Sequence, residues 1–196
     1  MEESIRSKIM DQIEENGAVI DAANNAIWEF AETALKEERS STYLKQLLAQ
    51  NGFRILPGAA GVPTSFIAEW GAGTPVIGLL AEYDALAGLS QERSTICRPL
   101  RSGASGHACG HCTLGAAVLG AALSLKTVME QEGLSGTLRF YGCPAEETLE
   151  GKVLMSRDHL FDDCDAALSW HPNDISYVSA RKSVALRSMK FVFHGR

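Results

Sequence analysis

The chain has 196 residues, is 45% hydrophobic and 21% charged, and carries 18 basic against 24 acidic residues for a net charge of −6. That is the composition of a globular domain with a real core, and with no Lys/Arg stripe to neutralise phosphates it argues against nucleic acid as a partner. The N-terminal MEESIRSKIMDQIEEN has no apolar signal segment, the longest nearly polar-free run (Leu114 to Leu125) falls short of the ~20 residues a membrane span needs, and five cysteines without a small secreted framework fit reduced thiols; the expectation is a cytoplasmic protein with no membrane partner.

Along the chain, Ile5, Ile9 and Ile13 recur at helical spacing before Asn16-Gly17, and a second apolar face follows at Ile20, Ala23, Ile27, Ala31 and Ala34. Ser40-Ser41-Thr42 is positioned to cap a third helix, YLKQLLAQ, which Asn51-Gly52 stops. Two apolar runs, SFIAEW and VIGLLAEY, flank the turn-like Gly71 to Pro75 and read as strands. From Leu86 to Gly106 the chain has no period, which marks a long loop of the kind that is usually functional. A helix from Cys112 to Met129 has almost no polar face in its first three turns and so belongs inside a layered fold. GTLRFYGC then reads as a strand, KVLMSRDHLF as a helix, DAALSW as a strand and VALRSMKFVF as a further strand. This alternation predicts an α/β fold with a mainly parallel sheet.

Polar groups collect where such strands end, which is where open parallel sheets bind ligands. VIGLLAEY runs into Glu82-Tyr83-Asp84, the long loop delivers His107, Cys109 and His111, TLRFYGCP runs into Glu146-Glu147, and AALSW runs into His171. Thiolate, imidazole and carboxylate are the donors of Zn²⁺ or Mn²⁺, and alternate spacing at 107, 109 and 111 in an extended loop would put three side chains on one side. Glu146-Glu147 suits a division of labour, with one carboxylate coordinating and the other free to take a proton from water. Each signal alone is weak, since an isolated histidine is usually a hydrogen-bonded structural group and a Glu-Glu pair is usually solvated; His159, His194 and the Asp162-Asp163-Asp165 run carry only that bland reading. The competing reading is a thiol-disulfide oxidoreductase using Cys109-Gly-His-Cys112. Against it, no strand or aromatic residue precedes the first cysteine, and Glu146, Glu147 and His171 would have no task.

The ordered set GLLAEYDALAGLSQ, GHACGHCTLGAA, FYGCPAEE and DAALSWHP resembles the aminoacylase and amidohydrolase branch of the co-catalytic metallopeptidase superfamily, from about the third helix to Arg196. The resemblance implies a three-layer, zinc-exopeptidase-like catalytic domain over residues 1–180. Residues 181–196 would be the first strand of an inserted α+β lid and dimerisation domain. It implies that Cys109, His111, Glu147 and His171 are metal ligands, that Glu146 is the general base, and that Asp84 buttresses the site; His107, from its place in the loop, is expected to be a supporting residue. It implies one or two Zn²⁺ or Mn²⁺ ions, hydrolysis of the amide bond of N-acyl amino acids or dipeptide-like substrates, and a homo-oligomer or a related second subunit. At Cys112 the branch usually carries Asp or Asn, which leaves the hydrogen bonding behind the ligands open. By analogy the chain stops inside the first lid strand, and on its own it is expected to be inactive and to bind at most one ion.

Overall fold

The computed structural model describes residues 2–179, 184–186 and 189–195. Helices α1 (Glu2–Glu15), α2 (Gly17–Phe30) and α3 (Glu38–Gln50) open the chain. They are followed by strands β1 (Arg54–Pro57), β2 (Phe66–Ala72) and β3 (Val76–Glu82), and then by helix α4 (His111–Glu132). Strand β4 (Gly136–Cys143), helix α5 (Gly151–Arg157) and strand β5 (Ala166–Leu168) complete it.

The sheet runs β1-β2-β4-β3-β5. β3 lies parallel to β4 and to β5, as strand-helix alternation implies, but β2 pairs antiparallel with both β4 and β1. The expected mainly parallel sheet is therefore a mixed one. β2 and β3 are joined by only three residues, Gly73 to Pro75, too few for the crossover that parallel strands require, so they run in opposite directions, with β4 between them. The sequence gives no sign of β1, because four residues ending in proline carry little alternation.

Side-chain alternation sorts the sheet's two faces. Phe66, Ala68, Leu79, Ala81, Leu138 and Phe140 point to one core, shared with Ile27, Leu44, Leu48, Leu114 and Leu119 of the helices. Tyr141 and Cys143 point to the other, where they meet Met155 of α5 with Ile67 and Leu80. Helices thus cover both faces, giving three layers. α4 is long and apolar enough to cross a membrane by length and composition, more than the 114–125 run suggests, but most of it is packed inside the fold.

Several element ends differ from the sequence reading. α2 stops at Phe30, where Ala31 turns left-handed at φ 43°, so Ala34 is not on its face. α3 begins at Glu38 without a side-chain cap, because Ser40 instead gives its N–H and Oγ–H to Glu32 Oε2. The helix read over 152–161 ends at Arg157. The boundary expected at 180/181 and residues 181–183, 187–188 and 196 of the expected lid strand lie outside the described residues, and 184–186 and 189–195 carry no strand.

Candidate metal centre

The cluster sits at the carboxyl end of the parallel part of the sheet. Glu82 closes β3 and Asp84 follows it. Glu146 and Glu147 follow β4, and His171 lies beyond β5. α4 begins at His111, and Gly110 turns the chain into it at φ 91°, a left-handed conformation that glycine adopts without strain. A side chain at Gly110 would also press on Pro172, next to His171.

His111 is fully buried and anchors the cluster. Its Nδ1 lies 2.9 Å from Asp84 Oδ1 and 3.1 Å from the Asp84 carbonyl, so the Nδ1–H is donated there and Nε2 is left facing the cluster. That nitrogen is 3.1 Å from Glu82 Oε2 and 3.7 Å from Glu146 Oε2. Asp84, buried, uses its other oxygen to accept the Glu147 N–H at 2.9 Å, so one carboxylate orients both the histidine and the Glu-Glu turn. His171 is exposed and shows the same pattern: Nδ1 donates to the Pro172 carbonyl at 2.8 Å, and Nε2 faces Cys109 Sγ at 3.3 Å. The two imidazole rings meet edge to face at 5.6 Å. Tying Nδ1–H and freeing Nε2 is how metal-binding histidines are held.

The electrostatics call for a cation. Burial, then the charge of Glu147, pushes the Cys109 thiol up to about 11. Burial, then the charge of Glu82, raises Glu146 above the usual carboxylate range. Burial alone would lower His111, but its hydrogen bond to Asp84 and the surrounding carboxylates more than offset this and raise it. Glu82 Oε2, His111 Nε2 and Glu147 Oε1 are buried without a hydrogen-bond partner. Sulfur, nitrogen and oxygen donors with unpaired buried atoms suit a divalent ion. Two ligand triplets have donor atoms within 4.8 Å of one another: Cys109, His111 and His171, and Glu82, His111 and Glu146.

Of the sequence-derived site residues, Cys109, His111, Glu146, Glu147, His171 and Asp84 come together here, while His107 lies near His111 and Asp84 but does not turn its Nε2 to the donor cluster. Its Nε2 meets the Ile27 carbonyl at 3.0 Å, and burial lowers it to about 4. The alternation rule fails because residues 107–111 are not an extended strand; Gly110 and the start of α4 turn His111 away from the side His107 faces. Cys112 is buried in the first turn of α4, where its Sγ meets Thr113 Oγ1 at 3.8 Å. Neither thiol has the lowered pKa a redox nucleophile needs, since burial raises Cys112 as well. The dithiol reading is set aside.

Two supporting residues escape the sequence reading. Glu37, fully buried, accepts the N–H of Ala145 at 2.8 Å and of Leu35 at 3.1 Å, and so pins the turn that carries Glu146. Lys152 of α5 pairs with Glu82 Oε1. Glu37 gives no signal, because its partner is 108 residues away. Glu82 does give one, since it lies two residues before Asp84 at the end of a strand and so faces the same side.

Helices on both faces of the sheet, with this donor set at its carboxyl end, define a metallopeptidase-like α/β domain. The fold matches solved structures. One is a dinuclear metal binding peptidase from M20 family of Bacillus subtilis (TM-score 0.65, 26% identity, covering 81% of this chain and 44% of that one). Another is an aminobenzoyl-glutamate utilization protein from Klebsiella pneumoniae (TM-score 0.60, 14% identity, 82% and 45%). The chain belongs to peptidase family M20/M25/M40, whose model matches residues 78–183. Among curated relatives it is 43% identical over 171 residues to one of the subunits of p-aminobenzoyl-glutamate hydrolase of Escherichia coli, covering 86% of this chain. It is 32% identical over 145 residues to N-acetyl-L-cysteine deacetylase of Bacillus subtilis, covering 73%. The chain spans 35% and 33% of the length of those two relatives.

Proposed function

We propose that this chain carries the metal site of an amidohydrolase that cleaves the amide bond of N-acyl amino acids or dipeptide-like substrates. The single observation that carries the reading is the pairing of two Nδ1-tethered histidines and a thiol with a strand-end Glu-Glu. In this reading Cys109, His111, Glu147 and His171 hold the ion, Zn²⁺ or Mn²⁺. Cys109 favours zinc by its softness, and the His and Glu donors accept manganese. When bound, the ion supplies Lewis acidity, polarising the scissile carbonyl and acidifying a water.

The rest of the chemistry belongs to side chains. Glu146 Oε2 points at the cluster and its side chain is 29% exposed, so it reaches both the ligands and entering water. It takes the proton from the attacking water and returns it to the departing amine nitrogen. Asp84 fixes the His111 tautomer and the Glu147 backbone, while Glu37 holds the turn behind Glu146.

An aromatic acyl-glutamate such as p-aminobenzoyl-glutamate heads the substrate candidates, because the E. coli relative is named for it. That relative is named as one subunit of its hydrolase, which supports a second subunit. The five free thiols support a cytoplasmic setting. The test is a hydrolysis screen of p-aminobenzoyl-glutamate, N-acyl amino acids and small dipeptides by the gene product reconstituted with Zn²⁺ or Mn²⁺. Glu146→Gln should keep the metal content and lose ~100-fold or more in turnover. Full activity in that variant would remove Glu146 from its role, and metal-independent hydrolysis would remove the reading as a whole.

A further inference from the structure

We infer that Glu82 is a further ligand of this site, its Oε2 binding the same divalent ion as His111 Nε2. The inference rests on the metal-site reading above and extends it to a residue outside the four ligands named there.

Glu82 is 5% exposed, yet its Oε2 has no hydrogen-bond partner. The atom it faces, 3.1 Å away, is His111 Nε2, which is fully buried and also unpartnered. Because His111 spends Nδ1 on Asp84, Nε2 is the nitrogen left to serve an ion beside Glu82. Glu146 Oε2 approaches the same nitrogen at 3.7 Å, so the donor atoms of Glu82, His111 and Glu146 converge within 4.8 Å of one another. Glu82 cannot turn away to water. It closes a buried strand, and Lys152 from the first turn of α5 holds Oε1, which leaves Oε2 aimed at the cluster. Asp84, two residues on, faces the same side and orients the histidine from its far edge, so Glu82 and Asp84 grip the imidazole at opposite nitrogens. One strand end thereby supplies a ligand and the residue that positions a ligand.

The experiment is Zn²⁺ titration calorimetry on the chain, with urea unfolding of the metal-free protein, for the wild type, Glu82→Gln and Glu82→Asp. If Glu82 is a ligand, Glu82→Gln binds Zn²⁺ at least ~10-fold more weakly, by analogy with losses at supporting positions. The metal-free variant should still fold, because the amide keeps an oxygen for Lys152. Glu82→Asp keeps the charge but loses reach, so it too should bind more weakly; wild-type affinity in that variant would reduce Glu82 to a nearby charge and overturn the inference. Lower metal-free stability with unchanged affinity in Glu82→Gln would make Glu82 a structural partner of Lys152 and overturn it as well. If the wild type binds Zn²⁺ and Glu82→Gln binds it equally, only the Glu82 role falls. If the wild type binds neither Zn²⁺ nor Mn²⁺, the metal-site reading falls with it.

Discussion

Asp84→Asn is the substitution that most directly probes how the site is built. Asp84 is 1% exposed and spends its two oxygens on two donors, His111 Nδ1 and the Glu147 N–H, each at 2.9 Å. Asparagine keeps one acceptor and replaces the other with an NH₂ group, so one of the two buried donors must face a donor. If the amide faces His111, it favours the tautomer with the proton on Nε2, which removes the lone pair that would bind the ion. If it faces Glu147, the backbone N–H loses its partner and the Glu-Glu turn loosens. A buried donor left unsatisfied costs about 1–3 kcal/mol. The loss is bounded because the Asp84 carbonyl, 3.1 Å from Nδ1, still holds the useful tautomer in part. The expected result is a 10–100-fold loss in Zn²⁺ affinity, or about 1.4–2.7 kcal/mol, together with ~1–2 kcal/mol of lost metal-free stability. Calorimetric titration and urea unfolding measure the two, and the ring ¹⁵N shifts of His111 report the tautomer. Unchanged affinity and unchanged stability in Asp84→Asn would refute the claim that this carboxylate organises the site.

Two further outcomes follow from packing and linkage. Gly142→Ala places a Cβ 2.2 Å from Phe66 Cε1, on a fully buried ring stacked against Phe140 at 5.7 Å, so it should destabilise the chain by about 3 kcal/mol in urea unfolding, and a neutral result would mean the ring has room to move. Burial, against the opposing pull of its hydrogen bonds, raises Glu37 above its ordinary 4.5, so the stability linked to its protonation is fully present below about 4.5 and is lost as pH rises through the higher folded value. Glu37→Gln, which cannot ionise, should lack that loss, and unfolding at a series of pH values should show its stability rising relative to the wild type as pH rises; a variant that falls relative to the wild type over that range would reverse the assignment.

The contrast between His107 and Glu82 shows how far the sequence reaches. Both sit in motifs that draw the eye, but placing His107 beside the ligands assumes extended backbone, and a single left-handed glycine defeats that assumption. Glu82 is visible at a strand end and lacks only a partner to give it a role. That partner, His111, lies 29 residues further along the chain, beyond a loop with no period to count.

Local rules are enough for what is local. Helical spacing finds α1 and α2, a nearly polar-free run finds α4, and shorter apolar runs find β2, β3 and β4. The rule that ligands gather at the carboxyl ends of strands then collects Cys109, His111, Glu146, Glu147, His171 and Asp84 before any contact is known. Tertiary structure alone decided that β4 inserts between β2 and β3, making the sheet mixed, since strand order depends on which faces bury each other and not on any segment's own pattern. It alone decided which nitrogen of each histidine is tied and which oxygen of each carboxylate is left unpaired, and that Glu37 reaches across 108 residues to hold the turn behind Glu146. Those are properties of packed pairs in a low-dielectric interior, where an unpaired atom is costly enough to indicate what it is waiting for, and one-dimensional sequence holds no record of which pairs will meet.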